Sequence, residues 1–121
     1  MAYIDLHPTS DQAEVRMLSV LEQLYQTIRT CVQEVWEVPE HDIIVMAHRN
    51  TVLVQDPIAQ KAGAIPELII KINTSDTKLV DKAERLQNLI VEVWKNSFGA
   101  TYPMEVWIDF FHTWGCTIDF E

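Results

Sequence analysis

Glycine and cysteine are scarce in this chain, and their scarcity excludes several kinds of site. Three glycines among 121 residues are too few for a glycine-rich phosphate loop, and neither a Gly-x-Ser-x-Gly elbow nor a His-Glu-x-x-His helix is present. The two cysteines, Cys31 and Cys116, cannot form a disulfide framework and lack metal-ligand spacing, which predicts a reducing compartment. We therefore expect neither a metal nor a cofactor.

Basic charge and long apolar runs are also missing. The net charge is −9, with acidic residues spread along both halves, whereas a nucleic-acid surface needs clustered Lys and Arg. No apolar run approaches the roughly 18 residues of a membrane span, and no charged-then-apolar leader is seen. We expect no nucleic-acid partner, no membrane association and a cytoplasmic location. The length suits a single domain over residues 1–121.

The chain contains an internal repeat. Residues 4–11 read IDLHPTSD and residues 69–76 read IIKINTSD, an offset of 65 positions. The later pairs Pro39 and Pro103, and His48 and His112, are offset by 64. These landmarks predict pseudo-repeats at 1–49 and 66–112, joined by a loop at 50–65 with at most a short turn of structure.

Periodicity predicts a strand, a helix and a strand in each repeat. The strands are expected at 2–7, 42–49, 67–72 and 104–112, with a further edge strand within 114–120. Ser10 or Asp11 should cap the first helix, and Ser75 or Asp76 the second. The first helix should end before Pro39 and the second near Gly99. The inward stripes are predicted as Val15, Leu18, Leu21, Leu24, Ile28, Cys31 and Val35, then Leu79, Ala83, Leu86, Ile90, Val93 and Ser97.

These elements predict an α/β fold of the α+β plait type. A helical crossover implies parallel pairing within each repeat. Two tandem β-α-β units would then form a four-stranded mixed sheet with two helices on one face. The fourth strand lacks a polar alternation, so we expect its second face to be covered by a neighbouring subunit.

Two short clusters could carry chemistry. Val38 to Asp42 leads into the second strand, and His48-Arg49 ends it. A carboxylate at a strand start can move or orient a proton, and an arginine can hold a carboxylate substrate through two hydrogen bonds. The same residues are also typical of a capped turn and a solvated strand end, so both interpretations stay open. His7 is interpreted as an ordinary surface histidine.

The plan resembles the tautomerase superfamily, with its 4-oxalocrotonate tautomerase and MIF-like fold, and most closely its two-unit branch of malonate semialdehyde decarboxylase-like proteins. The features that carry the resemblance are the Thr-Ser-Asp helix starts, Val38-Pro39-Glu40-His41-Asp42, His48-Arg49, Ser75-Asp76 with Lys82, and the late Trp114. The resemblance implies a homotrimer that acts on a small 2-oxo or 2-hydroxy acid without a cofactor. It also implies an N-terminal proline as the general acid or base.

The resemblance assigns roles to six residues. Ala2 stands in place of the proline and would offer a primary amine if Met1 is removed, with an ordinary pKa of about 7.7–8.0. Asp42 would assist the chemistry and Arg49 would bind the substrate carboxylate. Because Asn73 and Thr74 stand where an arginine pair is expected, Lys71 is the nearby cation. His48 and Trp114 would complete the substrate site.

Three classes of function follow. The first is a tautomerase-like enzyme, whether isomerase, decarboxylase or hydratase, that transfers a proton on a small organic acid. The second is a non-catalytic trimeric scaffold or binding module descended from the same fold. The third is an unrelated regulatory domain of the same plait, because a fold does not determine function by itself.

Overall fold

A four-stranded sheet forms the centre of the computed structural model, which describes residues 1–111. Its strands are β1 (Ala2–Pro8), β2 (Ile43–Ala47), β3 (Leu68–Thr74) and β4 (Met104–Phe110). They lie in the order β2-β1-β3-β4. The pairs β1–β2 and β3–β4 are parallel, and β1 and β3 are antiparallel at the centre. The predicted mixed sheet of two tandem β-α-β units is confirmed.

Helices cover one face of this sheet. They are α1 (Asp11–Ser19), α2 (Leu21–Trp36) and α4 (Ala83–Phe98), whereas a further helix, α3 (Pro57–Lys61), has no buried residue. The short α3 lies inside the predicted loop at 50–65 and is capped by the Asp56 carboxylate. No helix within residues 1–111 is both long enough and apolar enough to cross a membrane.

The first predicted helix is broken in two, and its predicted stripe is wrong in the first half. Val20 leaves the helical region with φ −122° and ψ 19°. The residues of α2 that face the core therefore do not continue the periodicity of α1. In α1 the buried residues are Ala13 and Met17, whereas Val15 and Leu18 are exposed. Ser10 caps α1 as predicted, because its hydroxyl accepts the Ala13 N–H at 3.0 Å.

The long helices α2 and α4 supply most of the helical side of the core. The buried residues of α2 are Leu24, Ile28, Cys31, Val32, Val35 and Trp36, and those of α4 are Leu86, Ile90 and Trp94. α2 ends before Pro39 as predicted, with Glu37 left-handed at φ 55°.

The second helix starts later than predicted and turns a different residue inward. Residues Thr77–Lys82 form a 3₁₀ segment, with Asp76 as its cap, and α4 then ends at Gly99 as predicted. Ser97 is exposed. Trp94 takes the inward position, four residues after Ile90, and its indole donates to the Tyr102 carbonyl at 2.8 Å. A buried Trp needs such a partner for its N–H.

The strands β1 and β3 show that the repeat offset of 65 is wrong. Their buried residues alternate as Ala2, Ile4, Leu6 and Pro8, and as Leu68, Ile70, Ile72 and Thr74. An odd offset would match buried Leu6 with exposed Lys71. Because side chains alternate between the faces of a sheet and both strands bury their even-numbered residues, equivalent positions of β1 and β3 differ by an even number. The bounds of the two repeats stay a prediction.

The face of the sheet away from the helices is uncovered within residues 1–111. Burial alternates along β4, with Val106 buried and Trp107 54% exposed, and the cover of this face by a neighbouring subunit stays a prediction. On the same open face Tyr3 and Met46 are also exposed. The predicted edge strand within 114–120 and residue His112 lie outside the described residues.

Candidate functional site

The chain start lies at one edge of the sheet beside Asp42. Ala2 is fully buried and pairs with Ile43 of β2 on one side and Thr74 of β3 on the other. Met1 and Asp42 are the residues that immediately precede this first pair of the β1–β2 register.

Asp42 is held by a 3₁₀ turn and by Arg29 of α2. Its N–H donates to the Pro39 carbonyl at 2.9 Å, which closes the turn Glu40–Asp42. Arg29 Nη1 donates to the Glu40 carbonyl at 2.8 Å and the Ile43 carbonyl at 3.1 Å. The guanidinium therefore bridges the residues on both sides of Asp42. The Asp42 side chain itself is 36% exposed, which leaves it accessible to a ligand.

Thr74 anchors the chain start from the other side. Its hydroxyl donates to the Met1 carbonyl at 3.1 Å and accepts the Asp76 N–H at 3.2 Å. The residue is buried, so the two hydrogen bonds satisfy a hydroxyl that would otherwise be costly to desolvate. Thr74 thus connects residue 1 to the turn that begins the 3₁₀ segment of the second repeat.

Arg49 lies at the opposite end of β2 from Asp42. The two residues are seven positions apart along a mostly extended segment, which corresponds to roughly 20 Å. Arg49 is exposed and borders a pocket of about 160 Å³ that Glu14, Leu18 and His48 also line. Within one chain, the predicted catalytic set is therefore divided, with Ala2 and Asp42 at one edge and Arg49 at the other.

His48 and Lys71 belong to a second cluster, on the open face of the sheet. The side chains of Asp5 and His48 approach to 2.7 Å between Oδ1 and Nε2. His7 stacks on His48, with ring centroids 4.4 Å apart and an interplanar angle of 11°. Lys71 pairs with Asp5 in the β1–β3 register. Desolvation lowers the pKa of His7, the charges of His48 and Lys71 lower it further, and Asp5 opposes them.

Sequence reasoning missed four members of these clusters. Arg29 falls within a helical pattern, and nothing local shows that its side chain reaches the following turn. Thr74 was noted only as a departure from the expected arginines. Asp5 and His7 did carry a signal, because residues i and i+2 of a strand share a face, and His7 was interpreted as an ordinary surface residue. Trp114 lies outside the described residues.

No protein-family model matches the chain, and no curated protein matches it either. Solved structures do match. A macrophage migration inhibitory factor-like protein from Entamoeba histolytica superposes with a TM-score of 0.57 at 13% identity, over 96% of this chain and 93% of that one. The chain has the tautomerase fold.

A second solved structure supports the same conclusion. It is the FG41 malonate semialdehyde decarboxylase inhibited by 3-bromopropiolate, with a TM-score of 0.51 and 14% identity, over 96% of this chain and 89% of that one. The fold predicted from the repeat and the resemblance is thereby confirmed. At this level of identity the likeness is one of fold, and the roles of individual residues do not follow from it.

Proposed function

We propose that this tautomerase-fold protein catalyses proton transfer on a small 2-oxo or 2-hydroxy acid, with the terminal amine as the base and Asp42 as its partner. The observation that supports the proposal is the β1–β2 register, in which Ala2 pairs with Ile43, the residue that follows Asp42. Removal of Met1 would place the Ala2 amine at this edge. It would also free the Thr74 hydroxyl, whose acceptor is the Met1 carbonyl.

The reaction needs a base that gives back the proton it takes. In the ketonisation of an enol, the neutral amine removes the enol O–H proton, the electron pair forms the carbonyl, and a proton is delivered to the adjacent carbon. A terminal amine suits this cycle because its ordinary pKa of about 7.7–8.0 lies near neutral pH. Asp42, on the neighbouring strand, would orient the amine or stabilise its protonated form.

Arg29 is a better candidate than Arg49 for holding the substrate carboxylate at this edge. Its Nη1 already binds the carbonyl groups of Glu40 and Ile43, so its guanidinium lies beside the turn that carries Asp42. A guanidinium has five N–H donors, and the remaining ones on Nη2 and Nε can form the parallel pair of hydrogen bonds that a carboxylate accepts.

Ketonisation of phenylenolpyruvate by purified protein tests the proposal. Intact mass spectrometry first establishes whether residue 1 is Met1 or Ala2. Acylation near pH 6.5 then blocks the terminal amine in preference to lysine amines, because its pKa is about 2–3 units lower. We expect turnover above the buffer rate and its loss after blocking. Turnover that survives complete blocking, or none from an unblocked Ala2 terminus, would reject the amine as base.

A non-catalytic scaffold is the second candidate, and one observation favours it. Ala2 is fully buried, and the chain start is fixed by the Thr74 hydrogen bond to the Met1 carbonyl. A protein that retains Met1 and never turns over an enol, yet assembles stably, would fit this function. The mass measurement and the enol assay together therefore separate the two candidates.

We further propose a cytoplasmic homotrimer. Trp107, Met46 and Tyr3 expose 54%, 43% and 37% of their surface on the open face, and exposed apolar area of this kind favours association. Cys31 is a buried free thiol, which suits a reducing compartment. Sedimentation equilibrium should give three times the chain mass of 14.0 kDa. A monomer or dimer would contradict the trimer.

A further inference from the structure

The cluster on the open face brings together three side chains of metal-binding chemistry. One potential ligand atom from each of Asp5, His7 and His48 lies within 4.8 Å of the other two. Two features of the backbone produce this arrangement. Asp5 and His7 alternate along β1 and so share a face, and His48 follows β2 with its N–H bonded to the Leu6 carbonyl at 2.9 Å. That bond extends the parallel pairing and places His48 beside His7.

We propose that Asp5, His7 and His48 form a binding site for Zn²⁺. Two imidazole nitrogens and one carboxylate oxygen are a ligand set that zinc sites use, with three protein ligands and a fourth position left to water or another ligand. The side chains of His48 and Asp5 are 39% and 19% exposed. The ion would therefore enter directly from the open face, without any opening of the core.

Binding requires a local rearrangement of the two rings. Their planes are 11° apart and their centroids are 4.4 Å apart. Imidazole lone pairs lie in the ring plane, so a single ion cannot be in line with both lone pairs while the rings are stacked. Zinc binding would require one ring to turn about its χ2 angle, so that both lone pairs point at the ion at the 2.0–2.1 Å that zinc prefers, and the ion would replace the 2.7 Å contact between His48 Nε2 and Asp5 Oδ1. That torsion is broad and soft for histidine.

The neighbours of the cluster set its affinity. On β3, Lys71 lies opposite Asp5 and Ile69 lies opposite His7, and on β2 Met46 lies beside Asp5. Lys71 is the cationic member of these neighbours and would repel a metal ion. Because it is exposed, its flexible ammonium group can turn away into solvent. Replacing Lys71 with a neutral residue should therefore tighten metal binding.

Titration of the full-length protein with Zn²⁺ by calorimetry tests the site. We expect one ion per chain, at least a tenfold weaker affinity in His7→Gln and in His48→Gln, and a tighter affinity in Lys71→Met. His41→Gln is the matched control, because His41 is exposed and lies at the opposite edge of the sheet. Unchanged affinity in both His7→Gln and His48→Gln, or loss of binding in His41→Gln, would overturn the proposal.

A second measurement uses the unmodified chain and therefore still tests the site if the histidine variants fail to fold. Histidine side-chain NMR signals should shift for His7 and His48 as Zn²⁺ is added, and those of His41 should stay in place. Shifts confined to His41, or none at one equivalent of Zn²⁺, would overturn the proposal. Neither result depends on enol turnover, so the metal site and the proposed enzyme stand or fall separately.

Discussion

Arg16 joins the two repeats, and its replacement tests how the halves of the fold are held together. From α1, its Nη1 donates to Glu67 Oε1 at 2.8 Å and to the Thr101 carbonyl at 2.6 Å. Its guanidinium carbon also lies 4.1 Å from the centre of the Tyr102 ring. All three partners belong to the segments that lead into β3 and β4, so one side chain of the first repeat binds three points of the second.

The expected effect of Arg16→Met follows from these contacts. Hydrogen bonds to a charged group contribute about 1.5–3 kcal/mol, and a partly exposed cation–π contact contributes about 0.5–1 kcal/mol. Solvent screens both, because the side chains of Arg16 and Glu67 are 33% and 34% exposed. Methionine keeps the aliphatic packing. We therefore expect the free energy of unfolding to fall by about 1–3 kcal/mol.

Urea unfolding followed by tryptophan fluorescence measures this loss. Arg85→Met is the matched control, because Arg85 is exposed on α4, and it should change stability by no more than about 0.5 kcal/mol. Raising the salt concentration should narrow the difference between the two variants, since the ion pair is partly screened. Equal midpoints for Arg16→Met and Arg85→Met would show that the Arg16 contacts do not stabilise the fold.

Three further results are expected. Glu37→Gly should raise the free energy of unfolding by up to about 1 kcal/mol, because Glu37 has a left-handed backbone at φ 55° that glycine adopts without strain. A lower urea midpoint than that of the wild type would contradict this. Burial raises the pKa of Cys31 from 9.0 to about 11. In a Cys116→Ser background, alkylation of Cys31 at pH 8 should therefore be about a hundredfold slower in the folded protein than in the urea-unfolded one. Equal rates in the two states would contradict this. Leu6→Ala should lower the free energy of unfolding by about 2–5 kcal/mol and Lys71→Ala by about 0.5 kcal/mol or less, and equal losses would favour the offset of 65, which treats the two positions as equivalent.

The raised pKa values also give stability a pH dependence. Burial raises the pKa of Tyr102 from 10.0 to about 12, as it raises that of Cys31. In the unfolded chain both groups lose their protons at a lower pH than in the folded one. Their contribution to stability is therefore complete below about pH 9 and declines as the pH rises toward 12. Urea midpoints that stay constant from pH 8.5 to 10.5 would contradict this.

The sequence predicted which segments form strands and long helices better than it predicted where the helices break and which residues they bury. Strands and long helices follow from apolar periodicity and from punctuation such as Pro39 and Gly99, which act over a few residues. The break at Val20 could not be predicted this way, because no glycine or proline marks it. Its cause is tertiary, since α1 turns Met17 inward while α2 restarts its inward face at Leu24.

The candidate site could also be predicted only in part from the sequence. The proximity of Ala2 and Asp42 could be predicted, because parallel strands of a β-α-β unit begin at the same edge of a sheet. The separation of Asp42 from Arg49 follows from the same topology, since the two residues flank the opposite ends of β2. The reach of Arg29 to the Asp42 turn depends on a rotamer and a helix orientation, which sequence spacing does not encode.

Whether Asp42 takes part in proton transfer is tested by comparing two carboxylates in the same assay. Ketonisation of phenylenolpyruvate should fall by about a hundredfold in Asp42→Asn, the range expected for loss of a group that assists proton transfer. Asp109→Asn, an exposed residue of β4, should keep the wild-type rate. Equal rates in both variants would show that Asp42 takes no part in proton transfer and would contradict the proposed enzyme function.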